Sequence, residues 1–345
     1  MPDRDPGNVS GGGQHPSGAR GADGRVVRPH GGAGGAHGPA FDRPVPPGGY
    51  AWWYLDALSD DGRHALTLIA FVGSVFSPYY AGARRRGAAD PLEHCALNVA
   101  LYGGAGKWAL TERRRGAVRR TPDVLTLGPS ALAWKDGVLT ARIDEVSAPL
   151  PSRIRGCVRL HPAATLHQAV RLDVEGRHRW WPIAPCARVE VALDRPALAW
   201  RGAGYLDANA GSVPLEQSFR GWSWSRARLG DGTAVLYDVD RRNGDPLSLA
   251  LAFDRNGGVA PFTPPPVAAL PATRWRIART TRADGAGPVA VVHTLEDTPF
   301  YARSLLSSRL LGEQVTAMHE SLSLDRFTAA WVQMLLPFRM PRAWR

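Results

Sequence analysis

The chain has 345 residues, 44% of them apolar, with twelve tryptophans and a formal net charge of +11, which suggests about two domains with real cores. All but two of the 42 basic residues are arginine, Lys107 and Lys135 being the exceptions, and the pI is near 10.3. Such a charge invites a nucleic-acid partner, but the arginines are scattered and no helix-turn-helix, zinc-finger or RNP pattern is present, so an anionic membrane surface is the better expectation.

Cys95, Cys157 and Cys186 are isolated and odd in number. They indicate neither a disulfide framework nor a metal knuckle, and free thiols in a reducing cytoplasm are expected. No apolar run approaches the roughly 20 residues of a membrane span. Residues 1–40 lack the apolar stretch of a signal peptide, and their Gly, Pro and Ser content predicts a disordered leader.

Order is expected from Phe41. Tyr50–Ala57 and Ala65–Val72 read as strands joined by a hairpin at Ser59-Asp60-Asp61-Gly62. Gly73 to Leu92, with three aromatics and three consecutive arginines, reads as a long lid loop. His94–Tyr102 alternates with period two: Cys95, Leu97, Val99 and Leu101 share one face, His94, Asn98 and Tyr102 the other. That is the pattern of a half-buried strand. Strands at Trp108–Arg113, Val124–Leu127, Ala131–Trp134, Val138–Ile143, Cys157–Leu160, Leu166–Val174 and Ala187–Leu193 complete a first set. A second set follows at Thr233–Asp240, Leu247–Phe253, Arg274–Thr280, Val289–Leu295, Val315–Leu324 and Ala329–Leu335. Short strands at turn-punctuated spacing predict an all-β fold, here two antiparallel barrels in tandem over 41–194 and 195–345. Small barrels can hold one elongated apolar ligand, and so many indoles favour a hydrophobic tunnel or an interdomain cleft.

The densest stretch is Trp200 to Arg226. Tyr205, Asp207 and Asn209 are two apart and share one face of a strand, which Gly211 closes with a turn signal. Trp222, Trp224 and Arg226 repeat the spacing, and pairing of the two segments would set an acid in a wall of indoles. A carboxyl so placed loses hydration, and its pKa should rise by about 1–4 units. His178-Arg179-Trp180-Trp181-Pro182 adds a second aromatic cluster just upstream. Each feature has a plainer reading: the tryptophans as core, His178 as a solvated loop residue, Arg226 as an ion partner that keeps Asp207 charged. No Gly-rich phosphate cradle or G-x-S-x-G elbow is present, and His161 and His167 lack a third metal ligand. Asp, Tyr, His and Trp remain, a kit for acid catalysis on an apolar substrate.

Six segments then carry a resemblance. They are P-G-G-Y-A-W-W-Y-L-D-A-L-S-D-D-G at 47–62, F-V-G-S-V-F-S-P-Y-Y at 71–80, H-C-A-L-N-V-A-L-Y-G at 94–103, Y-L-D-A-N-A-G from Tyr205 with W-S-W-S-R to Arg226, L-E-D-T-P-F-Y-A-R-S at 295–304, and L-P-F-R-M-P-R at 336–342. From about Pro47 to Arg342, outside the leader, the chain resembles the bacterial carotenoid 1,2-hydratases (hydroxyneurosporene synthases). The resemblance implies a two-domain lipocalin-like fold that hydrates the terminal C1–C2 double bond of acyclic carotenoids such as neurosporene and lycopene, without a cofactor or metal. The family's proton donor falls on Asp207, its supporting tyrosine on Tyr205, and its His-x-Trp pair on His178 and Trp180. Trp181, Trp222, Trp224, Asn209 and Arg226 are then expected to contact substrate. A non-catalytic carotenoid carrier and a pericyclic cyclase on the same barrel stay open.

An unperturbed Asp is only ~0.1% protonated at neutral pH, a cost of roughly 4 kcal/mol to an acid catalyst. Burial of Asp207 would remove most of it. The C-terminal run Trp331–Arg345, with Arg339, Arg342, Trp344 and Arg345, reads either as an interfacial anchor or as a last strand and tail. The anchor reading makes this a cytoplasmic protein peripherally associated with the inner, photosynthetic membrane.

Overall fold

The computed structural model describes residues 26–27, 38–104, 106–285 and 287–343. Most of the expected leader, and Trp344 and Arg345, lie outside the described residues. The strands in chain order are β1 (Val26–Val27), β2 (Tyr50–Ser59), β3 (Ala65–Val72), β4 (Cys95–Tyr102), β5 (Lys107–Arg113), β6 (Val118–Arg120), β7 (Val124–Leu127), β8 (Ser130–Lys135), β9 (Val138–Val146), β10 (Arg153–Pro162), β11 (Ala169–Arg171), β12 (His178–Arg195) and β13 (Leu198–Gly211). They continue as β14 (Phe219–Leu229), β15 (Gly232–Arg241), β16 (Leu247–Asp254), β17 (Val259–Pro261), β18 (Val267–Leu270), β19 (Arg279–Arg282), β20 (Ala290–Asp297), β21 (Tyr301–Leu310) and β22 (Glu313–Ser323). Helices are few and short: α1 (Pro78–Arg85), α2 (Leu215–Ser218), α3 (Leu324–Phe327) and α4 (Ala330–Arg339). The fold is all-β, as expected.

β1 to β13 make one antiparallel sheet, whose main path runs β5-β4-β3-β2-β13-β12-β10-β9-β8-β7-β6. It curls until its far strands nearly meet. Ala148 N–H, beyond β9, donates to the Trp108 carbonyl in β5 at 2.9 Å, and a buried Arg113–Glu145 ion pair crosses the seam at 2.7 Å. The second sheet runs β17-β16-β15-β14-β22-β21-β20, and β18 and β19 form a separate ribbon. The expected second barrel is therefore an open sheet among the described residues. Its outer face is closed by a small core shared with the ribbon.

Alternation explains the layering. On β2, Trp53, Leu55 and Ala57 point into the barrel core. Trp52 and Tyr54 join a second core between the barrel's outer wall and the inner face of the second sheet. β4 was expected to be half buried, yet every residue of it is buried. Leu97 and Val99 fill the barrel, while Ala96, Ala100 and Tyr102 face the intersheet layer.

Four further expectations are corrected. The expected division at 194/195 falls between β12 and β13, which are hydrogen-bonded neighbours, so the Tyr-x-Asp motif belongs to the first sheet and not to the C-terminal half. The lid loop 73–92 contains α1, with Ser77 accepting from the Tyr79 and Tyr80 amides and Pro78 at the first helical position; that is a start signal visible in the sequence. The strand expected at Ala329–Leu335 is instead the N-cap and first turns of α4, because the apolar residues here recur at helical spacing and bury Val332 and Leu336. The strands expected at Leu166–Val174 and Arg274–Thr280 reduce to Ala169–Arg171 and Arg279–Arg282.

Candidate active site

The tripeptide Tyr-Leu-Asp occurs twice, at Tyr54-Leu55-Asp56 and Tyr205-Leu206-Asp207. β2 and β13 pair antiparallel so that Tyr205 stands opposite Asp56 and Asp207 opposite Tyr54. Leucines 55 and 206 enter the barrel core, and the two tyrosines and two aspartates face the intersheet layer on alternate positions. Both strands are central, so both carboxyls are buried.

Asp207 receives two donors on one oxygen. Trp180 Nε1–H reaches Oδ2 at 2.8 Å and the Tyr205 hydroxyl reaches it at 2.9 Å. Oδ1 is buried with no hydrogen-bond partner among the described residues. Burial pushes the Asp207 pKa up to about 8 against the pull of these two donors, with the charges of Glu320 and Asp56 adding to the rise. The geometry agrees with that direction. A bare, ionised Oδ1 in this site would be expensive, whereas a protonated one is a free O–H donor. Burial likewise raises the Tyr205 pKa, keeping it a phenol that donates.

β14 does not pair with β13. It belongs to the second sheet, between β15 and β22, and faces β13 across the layer. The expected single wall is thus two facing walls. The Trp224 ring meets Tyr205 edge-on at 5.3 Å and Tyr54 at 5.6 Å. Trp222 and Trp180 each pack edge-on against Tyr237, at 6.4 and 5.7 Å, and Asn209 hydrogen-bonds to Tyr237. Arg226 does not ionise Asp207: it forms a buried ion pair with Asp56. Trp181 lies on the other face of β12, packs against the barrel core and is capped by Arg43 at 4.3 Å.

His178 is not brought onto Asp207: it stands opposite Gly211, at the far end of β13. Its Nδ1 is 2.9 Å from the Tyr50 hydroxyl and its Nε2 is 2.9 Å from Ser218 Oγ, and burial lowers its pKa to about 4. It is a neutral buried side chain, not the solvated loop residue of the plainer reading. Tyr50 stacks on Trp52 at 4.9 Å, so His178 braces a ring of the cavity wall. Gly211, expected to be a turn, is the last residue of β13 and makes room for this pair. A Cβ there would lie 2.5 Å from the Tyr50 ring and 2.6 Å from His178 Nδ1.

Beside the acid lies a mostly apolar cavity of about 370 Å³ lined by Trp52, Tyr54, Phe71, Phe76, Trp222, Phe300, Glu320 and one side of α4. Asp207 is not on its surface; its cross-strand neighbour Tyr54 is. Asp56, Arg303 and Glu320 were missed as site residues, while Arg226, expected to contact substrate, is paired with Asp56. Glu320 accepts from Tyr54 at 2.9 Å and pairs with Arg303, while the Tyr54 hydroxyl is also 3.1 Å from Asp56 Oδ2. Around the acid, then, stand two further carboxyl groups (Asp56 and Glu320) and two guanidinium groups (Arg226 and Arg303). One proton makes the cluster neutral, and burial favours leaving it on Asp207. Among the described residues no cluster of His, Cys, Asp and Glu suits a metal ion.

The family model for the carotenoid hydratase CrtC matches residues 68–345. An acyclic carotenoid 1,2-hydratase of Thiocapsa roseopersicina is 58% identical over 338 residues, 97% of this chain and 84% of its own, a match that takes in most of the leader expected to stand outside the resemblance. One of Rubrivivax gelatinosus is 54% identical over 88% of this chain and 76% of its own. Among solved structures, a Nitrosomonas europaea protein assigned as AttH superposes with a TM-score of 0.58 at 16% identity, covering 86% of this chain and 99% of that one, a likeness of lipocalin-like fold alone. The chain belongs to the carotenoid hydratase family.

Proposed function

We propose that this protein hydrates the terminal C1–C2 double bond of an acyclic carotenoid without a cofactor, with Asp207 as the proton donor. The observation that carries this is the buried Asp207 carboxyl, held by two donors on one oxygen and unpartnered on the other. An alkene is a very weak base, so water adds only after an acid has protonated C2 and left a tertiary cation at C1. With a pKa of about 8 Asp207 keeps its proton at neutral pH, which removes the roughly 4 kcal/mol an ordinary Asp would cost. Indole faces at Trp180, Trp222 or Trp224 stabilise the cation by about 0.5–2 kcal/mol. One end of the polyene enters the cavity beside Tyr54, and the aromatic layer over Asp207 opens to it. Trp224 Nε1 has no hydrogen-bond partner among the described residues, so no hydrogen bond holds its indole in place.

Incubation with lycopene or neurosporene in heavy water tests this reading. A tertiary alcohol with one deuterium at C2 and none at C1 is expected. Unchanged pigment would indicate a carrier, and a cyclised isomer a cyclase.

Membrane contact belongs to the same proposal in altered form. No described helix is long and apolar enough to cross a membrane. The expected anchor relied on arginines, but Arg342 donates to the Glu93 carbonyl at 2.9 Å and Arg339 covers Trp108 at 4.4 Å; Arg345 lies outside the described residues. What α4 turns outward is apolar: Trp331, Met334, Leu335 and Phe338 are exposed, with Phe338 at 74%. Leu335 and Phe338 also line the cavity, which supports a patch that meets the lipid where the substrate enters. Replacing Trp331 and Met334, which do not line the cavity, by serine should weaken co-sedimentation with anionic vesicles by about 100-fold, on the order of 1.5 kcal/mol for each side chain. Turnover of detergent-dispersed pigment should be spared. Unchanged vesicle binding would move the contact elsewhere.

A further inference from the structure

Glu320 lines the cavity together with Glu296 and Asp297, and of these three it is the one hydrogen-bonded to Tyr54, the cross-strand neighbour of Asp207. Glu320 lies on β22 opposite Trp224, and keeps 12% of its side-chain surface accessible while its partner Arg303 keeps none. Three protein groups fix it: Arg303, the Tyr54 hydroxyl, and Tyr301, whose own hydroxyl accepts from Arg303 Nε at 2.9 Å. Arg303 Nη1 is buried and has no hydrogen-bond partner among the described residues. Glu320 lines the apolar cavity and the spare guanidinium donor lies behind it in the buried Arg303, so a water drawn in against Glu320 would have two polar partners.

We propose that Glu320 and Arg303 hold the water that adds to the substrate, and that Glu320 takes its proton. This rests on the hydratase reading. Asp207 first gives its proton to C2 and becomes a carboxylate, leaving the cation at C1. The water oxygen then forms its bond to C1 while one of its O–H bonds breaks, and that proton passes to Glu320. Return of one proton from Glu320 to Asp207 restores the starting state, so the net change is addition of H and OH to the alkene. The division of labour follows from the partners. Glu320 has a guanidinium against it and is suited to accept a proton, whereas Asp207 has only neutral donors and is suited to give one.

Three proteins are incubated with acyclic carotenoid in heavy water: the parent, Glu320→Gln and Asp207→Asn. The parent should form the alcohol with one deuterium at C2. Glu320→Gln should lower alcohol formation by about 100-fold, yet still place deuterium at C2 of recovered substrate, because protonation by Asp207 is intact and reversible. Asp207→Asn should do neither. Because Glu320→Gln leaves the Arg303 charge buried alone, at a cost to folding, the double variant Glu320→Gln, Arg303→Gln keeps the charge balance and should behave as the single one. Glu320→Asp should recover part of the rate. Near-parent hydration by either Gln variant overturns the proposal. So does a folded, pigment-binding Glu320→Gln that loses deuterium exchange together with the alcohol, since Glu320 would then act only through Asp207. A parent protein that forms no alcohol defeats the hydratase reading itself and this proposal with it.

Discussion

Asp207→Asn is expected to lower hydration by at least about 10³-fold while leaving the fold and pigment binding intact. Asn fills the same space and can still accept the Trp180 and Tyr205 hydrogen bonds on its carbonyl oxygen, so the local packing survives. It has no acidic proton to give. The same substitution should change stability in a direction set by pH. A carboxyl whose pKa rises from 3.8 to about 8 on folding contributes its full stabilisation below the unfolded value and loses it as pH rises through the folded value. The gap corresponds to at most about 6 kcal/mol. Asn does not titrate, so the variant should melt higher than the parent at pH values above 8, with the difference shrinking toward acid. Melting curves at both ends of the range check this, and a parent with no alkaline loss relative to the variant would speak against a neutral Asp207.

Arg226→Met should be the most destabilising substitution near the site. Arg226 is 5% exposed and Asp56 fully buried, and they face each other between the two sheets. Removing the guanidinium leaves the Asp56 charge with Tyr54 as its remaining side-chain partner. Loss of one member of a buried pair costs about 3–5 kcal/mol, which denaturant titration would show as a lowered midpoint. Asp56→Asn in the same background should recover most of it, and failure to recover would mean that Arg226 acts through packing alone. A second consequence is electrostatic. Asp56 already raises the Asp207 pKa, so without Arg226 the acid should hold its proton to still higher pH.

The acid was legible because a two-residue spacing survives any strand geometry: Tyr205 and Asp207 had to share a face. The surroundings were harder. Asp56, Arg303 and Glu320 come to Asp207 from strands far apart in the chain, and local spacing says nothing of which strands pair. One clue was present in the repeated Tyr-Leu-Asp, whose two copies end up antiparallel and side by side. The long β12 was hidden by Pro182 and Pro185, which break the hydrogen-bonding pattern. The structure absorbs them in register shifts between Trp181 and Ala184 and between Ala184 and Ala187, as bulges do. That hidden strand carries His178 and Trp180 on one face and Trp181 on the other, which is why the two adjacent indoles have different surroundings. α4 was misread because a short apolar run fits a strand or a helix until its buried positions are known.

The central claim is that Asp207 holds a proton at neutral pH, and infrared difference spectroscopy of the parent against Asp207→Asn tests it most directly. The account predicts a protonated carboxyl C=O band that is present at neutral pH, missing in the variant, and lost with a midpoint near pH 8. A parent with no such band at neutral pH, Asp207 being already ionised, would contradict it.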